Sequence, residues 1–252
     1  MKSLIDGFFM CWSMFLYLPC PSQRWSDEAR PMMLFTFPAV GLIAGAIWLA
    51  AALLLGFLPP ALYALVLAAM PWLVTGFMHL DGYMDVCDAV MSRKDLEVKR
   101  KILKDSHCGA FAVICILLLG MGQWAAFLDL GSRIREMPSA LSLLLIPVTV
   151  RACAAMAVMG LKPMGTSQYS RMGGGSGLYR NLIRILAVLL ALLIGGSALW
   201  LHSPGPAAAA AGYALAARYG YRQLDGMNGD ISGFALSLGE LAGVAALALC
   251  RF

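Results

Sequence analysis

The chain has 252 residues, 60% of them hydrophobic and only 13% charged, with a mean hydropathy of +0.76. A soluble domain carries about 25% charged residues, so this composition excludes a water-soluble globular fold and points to an all-α, polytopic membrane protein, one bundle over residues 1–252. The net charge of +5 matters less than where the charges lie, and no nucleic-acid partner is expected.

In chain order, Leu4–Leu18 is apolar but contains Asp6 and Gly7. It is shorter than the ~20 residues of a span and reads as an interfacial or re-entrant helix, with residues 1–31 forming an N-terminal helix and loop. Met1–Pro19 has no cleavable-signal pattern. Met32–Leu58 and Ala61–Leu80 read as the first two spans, joined by Pro59-Pro60. Gly109–Leu128, Leu141–Gly160, Leu182–Leu201, a short Ala207–Ala217 and Gly233–Leu249 follow, giving six to seven spans within residues 32–250. The loops of interest are 81–108, 161–181 and 219–232. The seven cysteines lie mostly in apolar runs and read as buried thiols; Cys87, Cys108, His79 and His107 match no structural zinc spacing.

Basic residues concentrate on the cytoplasmic side of short loops. One alternate set of loops holds Arg24, Arg30, the six basic residues of 93–104, Lys162, Arg171, Arg180, Arg184, Arg218 and Arg222; the other holds Arg133, Arg135 and Arg251. Fourteen against three makes the first set cytoplasmic, and it includes every chemically suggestive motif.

The foremost motif is His79-x-Asp81-Gly82-x-x-Asp85-x-x-Asp88. Carboxylates at i, i+4 and i+7 share one helix face, where unpaired like charges beside a membrane are costly. A divalent cation such as Mg²⁺ or Mn²⁺ relieves that cost and takes substrate phosphates into its shell. A solvated acidic helix start is the alternative. Downstream, Lys104 offers a point charge for phosphate, Asp105 a further ligand or a cap, and Ser106 a cap. His107 is a surface polar group or an acid–base group. Arg151 lies inside an apolar run and needs a cavity or a partner; Glu240, equally embedded, is one candidate. Tyr169–Gly177 contains Arg171 and Gly174 and reads either as a phosphate-wrapping turn or as a linker. Asp225–Gly233 reads as a turn entering a helix opened by Asp230, with Gly229, Gly233 and Ser237 as a small-residue packing face.

These motifs resemble the cobalamin synthase family, the adenosylcobinamide-GDP ribazoletransferases. The resemblance rests on the acidic motif, on Lys104-Asp105-Ser106-x-x-Gly109, on Thr36-Phe37-Pro38 with Gly41, on Arg151, on Tyr169-x-Arg171, and on Gly226-x-Asn228-Gly229-Asp230 with Gly233 and Glu240. It spans nearly the whole chain. Three positions depart from the family pattern: Asp225 stands for a Gly, Asn228 for a Thr, and Tyr17 for an Arg.

The resemblance implies a transferase. A ribose hydroxyl of α-ribazole, or of its 5′-phosphate, attacks adenosylcobinamide-GDP and GMP leaves. It implies Mg²⁺ (or Mn²⁺) on Asp81, Asp85, Asp88 and Asp105, and chemistry at Asp230, Asp88 and Lys104. Substrate contacts are implied from His79, Ser106, Arg151, Arg171, Gly174, Arg222, Gly226 and Gly229. The setting implied is the cytoplasmic membrane with the site facing the cytoplasm. The partners it implies are the bilayer and either a second copy or other corrinoid-pathway enzymes. Asp225 is expected to turn away from the diphosphate, capping its turn or pairing with Arg218 or Arg222. A phosphotransferase of the CDP-alcohol type and a transporter are the alternative readings. The first lacks its downstream Asp pair here, and the second does not need a facing carboxylate triad.

Overall fold

The computed structural model describes residues 2–165 and 177–250. Its helices are α1 (Lys2–Phe15), α2 (Arg30–Phe35), α3 (Phe37–Leu54), α4 (Pro60–Val74), α5 (Met78–Met91), α6 (Leu96–Ile102), α7 (Ala110–Leu130), α8 (Met137–Gly160), α9 (Gly177–Trp200), α10 (Gly205–Leu224) and α11 (Gly229–Leu249), with 3₁₀ turns at Asp27–Ala29 and Gly131–Arg135. Five of them are long and apolar enough to cross a membrane: α3, α7 with its following turn, α8, α9 and α11. The bent pair α4–α5 makes a sixth when taken as one span. The expected all-α membrane bundle is therefore present.

The helices sort into two ends. At one end Arg133 donates to the Ala248 carbonyl at 3.3 Å, Trp124 donates to Ala61 at 3.0 Å, and Ser142 and Ser203 share a hydrogen bond. At the other, Lys99 bonds Gln223 at 2.6 Å, Arg100 bonds the Leu224 carbonyl at 3.0 Å, and the backbone of Met164 pairs with Met227. Between the ends, buried side chains donate to carbonyls of neighbouring helices: Trp48 to Leu67 at 2.8 Å, Tyr63 to Ala52, and Gln123 to Ala68 at 3.2 Å. Such bonds serve where hydrocarbon offers no other partner. α11 is the most buried span and α9 the least. α11 is thus the central post and α9 a peripheral, lipid-facing helix.

Several boundaries differ from the sequence expectation. Ala61–Leu80 is not one span, because the chain breaks after Val74 and turns by 93° into α5. Gly76 (φ 59°) and Phe77 (φ 63°) are both left-handed, a conformation uncommon outside glycine and strained for a bulky side chain. The Thr75 hydroxyl satisfies the Pro71 carbonyl at 2.9 Å at the same place. Residues 81–108 are accordingly no loop but mostly α5 and α6. Met32–Leu58 divides into α2 and α3 at Thr36, and α3 ends at Leu54. The short Ala207–Ala217 segment is part of the 20-residue α10, which is not among the five apolar spans, so among the described residues the count by length and composition is five, or six with the bent pair, against the six to seven expected. α1 is 14 residues long, roughly 21 Å at 1.5 Å per residue, short of a crossing. It still buries Met10 and Cys11 completely, so it packs into the bundle instead of lying only on its surface.

Candidate active site

α5 and α11 cross in direct backbone contact. A Cβ on Gly82 would stand 2.8 Å from the Asp230 Cα, and one on Gly233 would stand 2.8 Å from the His79 carbonyl oxygen. Only missing side chains permit this approach. It sets Asp81 and Asp85, one turn apart on α5, beside Asp230 in the first turn of α11. Asp85 lies within electrostatic reach of Asp81, Asp230 and Asp88, and Asp230 within reach of Asp81. Among the described residues neither the Asp81 nor the Asp85 carboxylate has a hydrogen-bond or ion-pair partner, and no basic side chain pairs with Asp230.

Asp230 is held from its own turn. Asn228 caps α11, its Oδ1 accepting from the Ile231 backbone N–H at 2.9 Å while its Nδ2 donates to Asp230 Oδ2 at 2.6 Å. The residue that departs from the family pattern thus still supplies the cap and also orients the carboxylate. Sequence reasoning missed this second task, although Asn-Gly-Asp before an apolar run is a cap signature.

Asp88 does something the acidic spacing alone does not indicate. Its Oδ2 accepts from Gly109 N–H at 2.6 Å and its Oδ1 from Ala112 N–H at 2.9 Å. It caps α7 from 21 residues away, satisfying two of that helix's orphan donors. Ser106, expected in that capping role, is exposed and bonds nothing among the described residues. Asp105, expected as a metal ligand, is exposed and bound to the His107 ring (2.7 Å) and backbone (3.0 Å). The His107 ring first, then its N–H, hold the carboxyl below the usual carboxylate range. Lys104 is exposed and unpaired among the described residues.

Two residues expected at the substrate are interior. Arg151 is fully buried and pairs with Glu240 at 3.0 Å, the partner anticipated from sequence, while also donating to the Pro147 carbonyl at 3.2 Å and facing the Phe37 ring at 5.8 Å. His79 is buried against Phe15 and Phe37, at 5.8 and 6.0 Å between ring centres. Among the described residues the Arg151 Nε and Nη2 and the His79 Nε2 have no partner. Arg222 is exposed on α10. Gly226 (φ 153°) meets the Met164 backbone, where a Cβ would stand 2.8 Å away. Gly229 starts α11. Arg171 and Gly174 lie outside the described residues.

Asp225 ends α10 in the left-handed conformation (φ 50°, ψ 55°). It faces Arg100 and Lys162, each at 3.4 Å. The expected pairing with Arg218 or Arg222 is therefore corrected. The partners come from α6 and from the segment after α8, neither adjacent in sequence.

No three His, Cys, Asp or Glu side chains among the described residues converge into a ready-made metal cage. Mg²⁺ seldom has one: it is commonly held by one or two carboxylates, with waters and substrate phosphates completing the octahedron. The carboxylates of Asp81, Asp85 and Asp230, with no basic side chain paired to them among the described residues and Asp81 exposed, fit that pattern.

The family model for cobalamin-5-phosphate synthase (CobS) matches residues 7–248. The adenosylcobinamide-GDP ribazoletransferase of Clostridium botulinum (strain Alaska E43 / Type E3) is 31% identical over 250 residues, covering 97% of each chain. That of Clostridium perfringens (strain 13 / Type A) is 32% identical over 254 residues, 99% of this chain and 100% of its own. That of Pseudomonas putida (strain W619) is 38% identical over 236 residues, 88% of this chain and 90% of its own. No solved structure is a significant match. The family model over nearly the whole chain and relatives of 31–38% identity along most of their length show that this chain belongs to the cobalamin-5-phosphate synthase family.

Proposed function

We propose that the chain joins adenosylcobinamide-GDP to α-ribazole, or to α-ribazole 5′-phosphate, releasing GMP. A ribose hydroxyl forms a new O–P bond, the phosphoanhydride bond breaks, and the hydroxyl proton passes to a base. The observation that carries this reading is the grouping of the Asp81, Asp85 and Asp230 carboxylates, with no basic side chain paired to them among the described residues, in a chain of this family.

Asp81 and Asp85 would hold Mg²⁺ (Mn²⁺ as substitute), with Asp230 facing them across the helix crossing. When bound, the metal neutralises the diphosphate and the departing GMP oxygen. Asp230, oriented by the Asn228 amide, is positioned to accept the hydroxyl proton; a base acts only within hydrogen-bond reach of that proton. Asp88 anchors the start of α7 next to this group. Asp105, Ser106 and the buried Arg151 and His79 take no direct part, and the exposed Lys104 remains a charge for phosphate.

The basic end of the bundle faces the cytoplasm in this reading, where a nucleotide-activated substrate is available. Cysteines placed at Asp95 and Gly229 should react with an impermeant reagent only from that side, and cysteines at Phe57 and Ser132 only from the other.

GMP release from a cobinamide-GDP substrate by the purified, reconstituted protein tests the proposal. Release should depend on α-ribazole, stop with EDTA and return with Mg²⁺. Full turnover in EDTA-treated protein would remove the metal, and absence of release under all conditions would remove the reaction.

A further inference from the structure

A cleft of about 460 Å³ opens between α8 and α10, outside the carboxylate site. Met156 and Ala157 of α8 and Ala214 and Ala217 of α10 form its apolar floor, and Arg218 and Arg222 stand at its rim. The two arginines are one turn apart on one helix face. Neither has a hydrogen-bond or ion-pair partner among the described residues. Neither pairs with Asp81, Asp85 or Asp230, and none of those carboxylates, nor any other, lines the cleft. α10 meets α11 through Gly212 and Gly220, which lie against Ala242 and Ile231, and residues 218 and 222 lie roughly 200° round the helix from Gly220 at 3.6 residues per turn.

We propose that this cleft binds an anionic phospholipid. Its phosphate would sit between Arg218 and Arg222, and one acyl chain would lie along the floor. The charges stand at the end of the bundle, near the last turn of α10 and the end of α8. The lining runs from there toward the midplane from Leu161 back to Cys153, roughly 12 Å at 1.5 Å per residue. A basic rim at headgroup level over an apolar trough complements an amphiphile with a negative head. Basic pockets between membrane helices take anionic headgroups for this reason, and a guanidinium pair recognises phosphate with directed N–H donors.

The test uses the full chain in mild detergent, with bound lipid read by native mass spectrometry after exposure to equimolar dioleoyl-phosphatidylglycerol and dioleoyl-phosphatidylcholine. Wild type should retain phosphatidylglycerol about tenfold over phosphatidylcholine. Arg218→Gln/Arg222→Gln should bring the two lipids to parity, and Ala214→Trp, which fills the trough, should lose both. Excess inorganic phosphate should leave the bound lipid in place. Parity in wild type, an unchanged preference in the arginine variant, or displacement by phosphate alone (a free-anion site only) would overturn the proposal. If the double variant does not purify, Ala214→Trp and the phosphate competition decide. Lipid retention does not depend on GMP release, so this idea and the transferase reading stand or fall separately.

Discussion

Gly82 on α5 touches the backbone of Asp230 on α11 so closely that a Cβ at residue 82 would come within 2.8 Å of the Asp230 Cα and 3.0 Å of its carbonyl oxygen. The obstructing atoms are backbone, so no rotamer change makes room. Gly82→Ala must push α5 and α11 apart, and a displacement near 1 Å at a positioned site costs about 100-fold in rate. GMP release should fall by at least that factor in protein that still inserts and purifies. Activity within threefold of wild type would show that the crossing does not set the geometry of the reaction.

Asp85 and Asp88 are one turn apart and should fail differently. Asp85→Asn keeps size and removes charge beside Asp81 and Asp230, so turnover should drop more than 100-fold with little change in thermal stability. Asp88→Ala strips two N–H groups of α7 of their acceptor, a loss of about 0.5–2 kcal/mol for a helix cap. Asp88→Asn should recover part of it. Thermal unfolding in detergent, run beside the activity assay, separates the two residues. The same profile for both would mean that Asp88 also works in the chemistry.

Arg151 and Glu240 pair wholly within the bundle. Removing one partner of a buried pair leaves an uncompensated charge and costs about 3–5 kcal/mol. Glu240→Ala and Arg151→Ala should each unfold at markedly lower denaturant. The double variant Arg151→Met/Glu240→Leu should regain most of the loss, because apolar residues of similar volume replace a buried pair at little cost. A double variant as unstable as either single one would show that the stability comes from other contacts of these side chains.

Asp225 and Asp230 share a turn but not a role. Asp225 occupies a left-handed position, which glycine adopts without a Cβ penalty, and its own side chain is 55% exposed, so its two ion pairs are worth little. Asp225→Gly should therefore keep activity within about tenfold, a barrier change of roughly 1.4 kcal/mol. Asp230→Ala should lose far more. Equal, near-complete loss in both would place Asp225 at the reacting phosphates.

What the sequence revealed and what it hid follow from the range of each interaction. The spacing of Asp81 and Asp85 is local and was legible, as was the need of Arg151 and Glu240 for each other, since both are charges stranded in apolar runs. The cap that Asp88 provides for α7, and the pairing of Asp225 with Arg100 and Lys162, join elements far apart in the chain, and no periodicity carries them. The break between α4 and α5 was hidden for another reason. Thr75-Gly76-Phe77 holds one weak breaker in an otherwise continuous apolar run, so hydropathy extended the span to Leu80. The Ala-rich run ends at Ala217, but α10 continues through Arg218 and Arg222 to Leu224, because a helix can carry such long charged side chains at its end.

The right-angle turn after Val74 also bears on how the chain enters the membrane. Each Asp carried to the centre of a span costs about 2.5–3.5 kcal/mol at insertion, and a straight continuation of α4 would draw Asp81, Asp85 and Asp88 inward. With the turn, the apolar segment ends after 15 residues, fewer than the ~20 that cross alone. α4 is thus suited to enter as one arm of a hairpin with α3, folded about Pro59-Pro60, and not as an independent span. Lengthening α4 with apolar residues before Thr75 would ease its insertion while pulling the carboxylates off the surface where substrate arrives. Membrane assembly and reaction geometry therefore constrain the same few residues.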